Sequence, residues 1–461
     1  VSEQNTDRTD VDDIRARVHE LMPRARQDLA EMVAFGSVYD PTRPPPPDCA
    51  EMVAWLQTAF TEIGVHDVAA HVTADGSQAV TGHIPGPPGA PTVLLYFHHD
   101  VQPALDPALW DSPAWTLTER DGRWYGRGAA DCKGNIAVHL TALRALAADP
   151  PVTVKIIGEG SEEQGSGGLE DFVPKHPELL AADAILILDS GNIEVGRPTL
   201  TTSLRGIANI VVGVETLGSA MHSGMFGGAA PDALAALIAM LATLRDEHGN
   251  TTVRGLETDQ AWDGIDYPEA QFRSDATVLD GVGVLGTGKI AEMVWARPAA
   301  TVLGIDCPPV VGSSAAVQPS ARARINLRVP PGMDPQAAQD ALIAHLTEVA
   351  PWDVRVSFER EAIGAPFSGS TSGPAFDALT RSLGAAYGRD VEQQGQGGSI
   401  PLCTVLAETF PDAEIMLFGV EEPRCLIHAP NESVDPTEIE NMAVAEALFL
   451  HDFARSAAAL D

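Results

Sequence analysis

At 461 residues the chain exceeds the length at which a single hydrophobic core usually stops growing, so two domains are expected. Hydrophobic residues make up 44% and charged residues 20%, an ordinary globular balance, and no stretch approaches the roughly 20 consecutive apolar residues that a membrane span needs. Acidic residues outnumber basic ones 64 to 29, and the formal charge of -35 repels nucleic acid and anionic membrane surfaces, so neither is an expected partner.

After a polar, acidic opening, Ile14, Val18, Leu21, Met22, Leu29, Met32 and Val33 recur at helical spacing. Met52, Val53, Leu56, Phe60 and Ile63 do so again, and the proline-rich stretch 41–47 between them predicts an extended loop joining two amphipathic helices. Runs 66–72 and 79–84 alternate as antiparallel edge strands do, whereas 91–97 is continuously apolar, the pattern of a strand buried on both faces. That strand ends in His98-His99-Asp100. A glycine-rich turn, 126–134, carries Asp131 into a helix whose Ile136, Leu140 and Leu143 share one face. The apolar run 152–157 ends in the glycine-rich turn 158–168, which bears Glu162 and Glu163; after a helix near 169–173, strand 184–188 ends in Asp189-Ser190.

From about Leu204 the pattern changes to strand 208–215, helix 231–245, an irregular stretch to about 317, strand 321–329, helix 334–350 and strand 354–361. The α/β pattern resumes with helix 374–387, a glycine-rich loop 395–399, strand 414–420, His428 and helix 438–453. The expected fold is α/β, a mixed, mostly parallel sheet covered by helices, with a smaller α+β domain inserted. Its boundaries are 1–203 and 365–461 for the interrupted domain and 204–364 for the insert.

Polar residues follow three apolar strands at the same end, where open α/β sheets bind ligands. Adjacent acids such as Glu162 and Glu163 repel and are costly to desolvate together, so a pair held at a strand end needs a cation or a shared proton. His98, Asp100, Asp131, Glu162, Glu163, Asp189 and His428 make a mixed nitrogen and oxygen donor set that suits Zn²⁺ and, less selectively, Mn²⁺ or Co²⁺. A carboxylate can bridge two ions about 3.5 to 4 Å apart, leaving one acid over to move protons. Singly, each residue has an ordinary structural reading: a histidine after a strand is usually hydrogen-bonded core, paired glutamates favour a helix N-terminus, and an aspartate caps. Taken as an ordered set they point to a site. The five cysteines are far apart and contain no C-x-x-C pair, which argues for a reducing, cytoplasmic setting and against a disulfide framework.

The segments His98-His99-Asp100-Val101-Gln102-Pro103, Gly126-Arg127-Gly128-Ala129-Ala130-Asp131-Cys132-Lys133-Gly134, Glu159-Gly160-Ser161-Glu162-Glu163, Asp189-Ser190, His222-Ser223-Gly224, Gly397-Gly398-Ser399-Ile400-Pro401 and His428-Ala429-Pro430-Asn431-Glu432 occur in an order that resembles a known family. It is the dinuclear zinc metallopeptidase family of carnosinases, cytosolic dipeptidases, aminoacylases and carboxypeptidase G, and the dipeptidase branch is nearest. The resemblance implies two Zn²⁺ per chain, with His98 and Asp189 on one ion, Glu163 and His428 on the other, and Asp131 bridging. It further implies that Asp100 orients His98, that Glu162 is the general base acting on a metal-bridging hydroxide, and that the Asp131-Cys132 peptide is cis. The insert becomes a lid and dimerisation domain. His222 would stabilise the oxyanion in the partner subunit's site of a homodimer, and Arg328, Ser399 and Gly398 would receive the free carboxylate of a small peptide. The implied activity is cleavage of a dipeptide's amide bond. An N-acyl-amino-acid deacylase or desuccinylase on the same scaffold is the nearest alternative, and an inactive peptide-binding relative a remoter one. Phe97, Cys132 and Gly395-Gln396 depart from the family pattern, which commonly has Gly, an acid or amide, and Arg-Glu at those places.

Overall fold

Four strands form the parallel centre of the main sheet, in the spatial order Thr153–Glu159, Thr92–His98, Ala184–Leu188 and Glu414–Phe418. Their residues are almost wholly buried, as continuous apolar runs between helical layers must be. Antiparallel strands flank this centre: Gln78–Ile84 pairs with Thr153–Glu159, His66–Val72 lies outside it, and Thr199–Leu204 follows Glu414–Phe418. The computed structural model describes residues 3–147, 149–398 and 400–458.

Register decides what the sheet presents. His98 pairs with Glu159, Tyr96 with Ile187, and Leu188 with Phe418, so the centre strands end level with one another. The chain segments that leave them, His99-Asp100, Gly160 to Glu163, Asp189 and Gly419 to Glu421, therefore share one edge. Helices Glu3–Ala34, Pro47–Glu62, Lys133–Ala145, Pro374–Tyr387 and Pro436–Ala458 contribute residues to the sheet's hydrophobic core. Lys133–Ala145 is buried on nearly every side, between the sheet and its neighbouring helices, which suits its small and apolar composition. Among the described residues no helix is long and apolar enough to cross a membrane.

The chain divides into two units. One holds Val1–Thr202, Gly369–Gln394 and Ile400–Asp461; the other holds Ser203–Ser368 and Gly395–Ser399. The second unit is built on a four-stranded antiparallel sheet in the order Ala299–Asp306, Ser320–Val329, Gly206–Glu215, Arg355–Gly364. Helices Ala233–Ala242 and Pro335–Glu348 contribute to its own core around Ile210, Val212, Ile325, Leu327 and Leu342.

Several local expectations need correction. The acidic opening is helical from Glu3. Gln78–Ile84 is an interior strand of the sheet, since Thr153–Glu159 pairs on its far side. The stretch read as irregular contains the edge strand Ala299–Asp306, whose register slips between Val302 and Gly304 and whose side chains beyond Ala300 are exposed. A bulge and one-sided exposure erase the alternation that marks a strand in sequence. Helix 231–245 shortens to Ala233–Ala242, stopped at its start by Asp232, whose carboxylate accepts from the Leu234 and Ala235 amides. The glycine-rich loop at 395–399 begins inside a strand, Glu392–Gln396, and belongs to the second unit.

Candidate metal centre

The residues that leave the level strand ends converge on Asp131. One of its carboxylate oxygens, Oδ1, lies 2.8 Å from His98 Nε2, and the other, Oδ2, lies 2.9 Å from His428 Nε2. The same His98 nitrogen is 3.2 Å from Asp189 Oδ1, and the same His428 nitrogen is 3.1 Å from Glu163 Oε2. Two half-sites result, each with one imidazole and one further carboxylate, and Asp131 stands between them. Asp131 is placed by the turn before helix Lys133–Ala145, and the Asp131-Cys132 peptide is cis.

Asp100 ties the first half-site to the glutamate turn. Its main-chain oxygen and Oδ1 lie 3.1 and 3.4 Å from His98 Nδ1, leaving Nε2 to face Asp131 and Asp189. Its two carboxylate oxygens accept from the Glu162 and Glu163 amides, each at 3.1 Å. Glu163 is held further by Gln102, whose main-chain N–H and side-chain Nε2 donate to it at 3.0 and 2.8 Å. The Glu162 carboxylate accepts no hydrogen bond from the described residues, so its neighbour is fixed and it is left free to exchange a proton.

Glu432, which the sequence shows only as the end of a motif, ties the loop of His428 to that of Asp131. Its buried carboxylate accepts from the main-chain amides of Gly128, Ala130 and Asp131 at 3.0, 3.1 and 3.2 Å and from Arg127 Nη1 at 2.7 Å. Glu421 was also missed. Its carboxylate clusters with those of Asp131 and Asp189 and accepts from Asn135 Nδ2 at 3.3 Å. Strand 414–420 offers no motif around Glu421; only the level register brings it to the edge. Cys132 is buried beside His98 and Asp189, its Sγ donating to the Leu188 carbonyl at 3.0 Å, and burial pushes the thiol up to about 12. His99 is buried with Nε2 3.1 Å from the Gln78 carbonyl oxygen, and burial pulls it down to about 4.

Charge in this cluster is unbalanced. Burial, followed by Asp189, holds Glu162 well above the ordinary carboxylate range; burial does the same for Glu421, and Glu163 and Asp189 are raised by burial too. The imidazoles answer by holding protons. Hydrogen bonds to Asp131 and Glu163 push His428 up to about 11, and His98, although burial opposes it, is pushed well above the imidazole range by Cys132 and Asp189. Crowded, buried acids interleaved with two imidazoles are the donor set of a site built for cations. Oxygen and imidazole donors in two sets sharing Asp131 fit two divalent ions.

In the second unit, His222 lies on the two-residue strand Met221–His222 paired with Ala316–Val317. Its imidazole is exposed, and Nδ1 accepts from the Gly224 amide at 3.1 Å, which leaves Nε2 as the donor nitrogen. Arg328 is partly buried near the end of strand Ser320–Val329, and Gly398 is exposed. Ser399 lies outside the described residues.

Comparison with known proteins finds relatives that match nearly the whole chain. The chain is 45% identical over 435 residues to the cysteinylglycine-S-conjugate dipeptidase of Corynebacterium striatum, covering 93% of this chain and 95% of that protein. Human carnosine dipeptidase 1 matches with a TM-score of 0.80 at 25% identity, over 96% of this chain and 99% of that one. A Bacillus subtilis protein described as a dinuclear metal binding peptidase shares the fold with a TM-score of 0.60 at 12% identity, over 95% and 98% of the two chains. The model of peptidase family M20/M25/M40 spans residues 94–452, from the strand that ends in His98 to the helix beyond His428, and the chain belongs to that family.

Proposed function

We propose that this protein is a dipeptidase that works with two divalent metal ions, zinc by preference and manganese or cobalt as alternatives. The observation that carries the reading is the division of Asp131's two oxygens between His98 and His428. His98 and Asp189 would hold one ion, Glu163 and His428 the other, and Asp131 both. When bound there, the pair supplies Lewis acidity toward the scissile carbonyl and lowers the pKa of the attacking water.

The chain's own residues do the rest. Glu162, with a carboxylate unclaimed by hydrogen bonds, takes the proton of the attacking water and returns it to the leaving amine. Asp100 keeps His98 Nε2 turned to the site and fixes the turn that carries Glu162. His222, its Nδ1 occupied by an amide, has Nε2 available to donate to the developing oxyanion, and we assign this contact in trans within a homodimer. Arg328, with Gly398 and Ser399, receives the substrate's free carboxylate. The relative named as a dipeptidase favours a peptide over an N-acyl amino acid.

Elemental analysis of the purified protein, paired with hydrolysis of a dipeptide panel before and after chelation, tests this reading. Two ions per chain and chelator-sensitive cleavage of free dipeptides are expected, with N-acetylated amino acids left intact. Cleavage of the acetylated compounds alone would make it a deacylase, and full metal occupancy without turnover of any amide would end the catalytic reading.

A further inference from the structure

The turn that bears Glu162 and Glu163 is gripped by a residue far from it in sequence. Strands His66–Val72 and Gln78–Ile84 are joined by a hairpin turn that carries Asp75. Asp75 Oδ1 accepts from the Thr73 hydroxyl at 2.7 Å and from the Ser77 amide at 2.9 Å, bonds that close such a turn locally. Its other oxygen reaches outside the hairpin. Oδ2 accepts from the hydroxyl of Ser161, 86 residues away, at 2.7 Å, and Ser161 is the fully buried residue immediately before Glu162. Although burial opposes it, the bonds from Ser77, Thr73 and Ser161 hold the Asp75 carboxyl below the ordinary range, so it remains an acceptor.

The far end of the glutamate turn rests on the same carboxylate. A Cβ at Gly168 would lie 2.7 Å from Asp75 Cγ, and Gly168 has no left-handed φ, so glycine is required there by close approach alone. Asp75 therefore holds both ends of segment 161–168, while Asp100 holds its middle through the Glu162 and Glu163 amides. One short segment anchors both carboxylates. Ser37 donates its hydroxyl to the His99 carbonyl at 2.7 Å and accepts the Val101 amide at 3.1 Å, on either side of Asp100. Two residues on, the buried Tyr39 donates its hydroxyl to the Asp75 main-chain oxygen. Because the Glu162 carboxylate accepts no hydrogen bond from the described residues, the backbone of its turn is what aims it. That backbone includes Ser166 in left-handed conformation, φ 59°, which surrounding structure has to hold.

We propose that Asp75 is a positioning residue for the reaction: acting through Ser161 and Gly168, it sets where the Glu162 carboxylate stands relative to Asp131. The proposal rests on the reading of Glu162 as general base and extends the working parts of the site to the hairpin at 73–77.

The test uses the full-length, metal-loaded protein and a cleavable dipeptide. Asp75→Ala should lower kcat about 10- to 100-fold, with KM within about twofold of wild type, metal content unchanged and a cooperative melt confirming the fold, as expected when a reacting group is displaced by about 1 Å. Ser161→Ala should lower kcat about 3- to 10-fold, and Asp75→Ala/Ser161→Ala should be no worse than Asp75→Ala alone, within about twofold. Gly168→Ala, which pushes the carboxylate away, should lose about tenfold in kcat by itself and nothing further in the Asp75→Ala background, where the clash is gone. Losses that multiply in the double variants would make these residues independent struts, and loss of metal along with kcat would assign Asp75 to the ligands instead of the base; either overturns the proposal. Wild-type kcat in Asp75→Ala would overturn it too, since Asp100 alone would then fix the turn. If wild type turns over no amide, the general-base reading fails before any variant is made. Hydrogen exchange across 161–168, read by mass spectrometry, then decides whether Asp75 holds the turn: exchange quickened at least about tenfold by Asp75→Ala keeps that clamp, and unchanged exchange ends it.

Discussion

Glu162 and Glu163 are neighbours in sequence with opposite surroundings. Glu163 is fixed by two donors from Gln102 and by His428, whereas the Glu162 carboxylate has none of these. Replacing Glu162 with Gln should therefore lower kcat by about 10²- to 10⁴-fold while bound metal, counted by elemental analysis, stays at wild-type level. Glu163→Gln should instead lose metal; the reverse pattern would show that the two roles are exchanged. At this scale the sequence was informative wherever chemistry announces itself through unusual neighbours, as in His98-His99-Asp100 or the glutamate pair. It was silent on Asp75, Gln102 and Glu421, because an isolated polar residue acquires meaning only from the partners that folding brings to it. Gln102 became legible once its amide and side chain were seen to grip Glu163, and Glu421 once strand register levelled it with Asp189.

Two loops remote in sequence are tied by Glu432, which receives three amides of the 128–131 turn and the Arg127 guanidinium. His428 and Asn431, on the loop before it, adopt left-handed backbone with φ of 64° and 63°, a conformation that needs surrounding structure to hold it. Glu432→Gln puts an amide where only acceptors are wanted and leaves Arg127 buried without its counter-charge. It should cost about 3 to 5 kcal/mol in urea unfolding, since breaking a buried pair strands the remaining ion. Metal affinity, titrated into stripped protein, should fall about 10- to 100-fold, as for other groups that orient ligands. Elements with a strong burial pattern, the continuous apolar runs Thr92–His98 and Ala184–Leu188 and the amphipathic Pro374–Tyr387, were readable from sequence because burial imposes that pattern. Ala299–Asp306 was not, since a bulged, exposed edge strand carries no burial pattern to read.

For the molecule as a whole, the proposed metal centre makes stability depend on both cations and pH. In stripped protein Glu162, Glu163, Asp189 and Glu421 are raised, so the folded state holds protons that the unfolded state has released, and stability falls as pH climbs above the ordinary carboxylate range. His98 and His428 act in the same direction, because a raised imidazole stabilises below its unfolded pKa and loses that contribution as pH rises toward about 11, where His428 deprotonates. Asp131, lowered by its histidines, opposes this only at strongly acidic pH. Thermal melting of chelated protein should therefore show a melting temperature that drops from pH 6 to pH 9, and adding metal should raise it most at the alkaline end. A chelated protein whose melting temperature rises over that interval would contradict this charge balance.

The division of the chain has a consequence for anyone who would cut the molecule apart. Residues 203–368 are contiguous, but the second unit also owns Gly395–Ser399, a splinter flanked on both sides by the first unit's chain. Gly395 packs so closely that a Cβ there would lie 2.5 Å from Trp295 Cβ, and Gln396 accepts the Arg205 amide. Excising the insert at its obvious ends would leave this splinter behind, baring Trp295 and unseating Arg205 in the fragment. An independently expressed second unit would need residues 395–399 grafted back through a linker or supplied as a separate peptide, so no single contiguous cut recovers that unit whole.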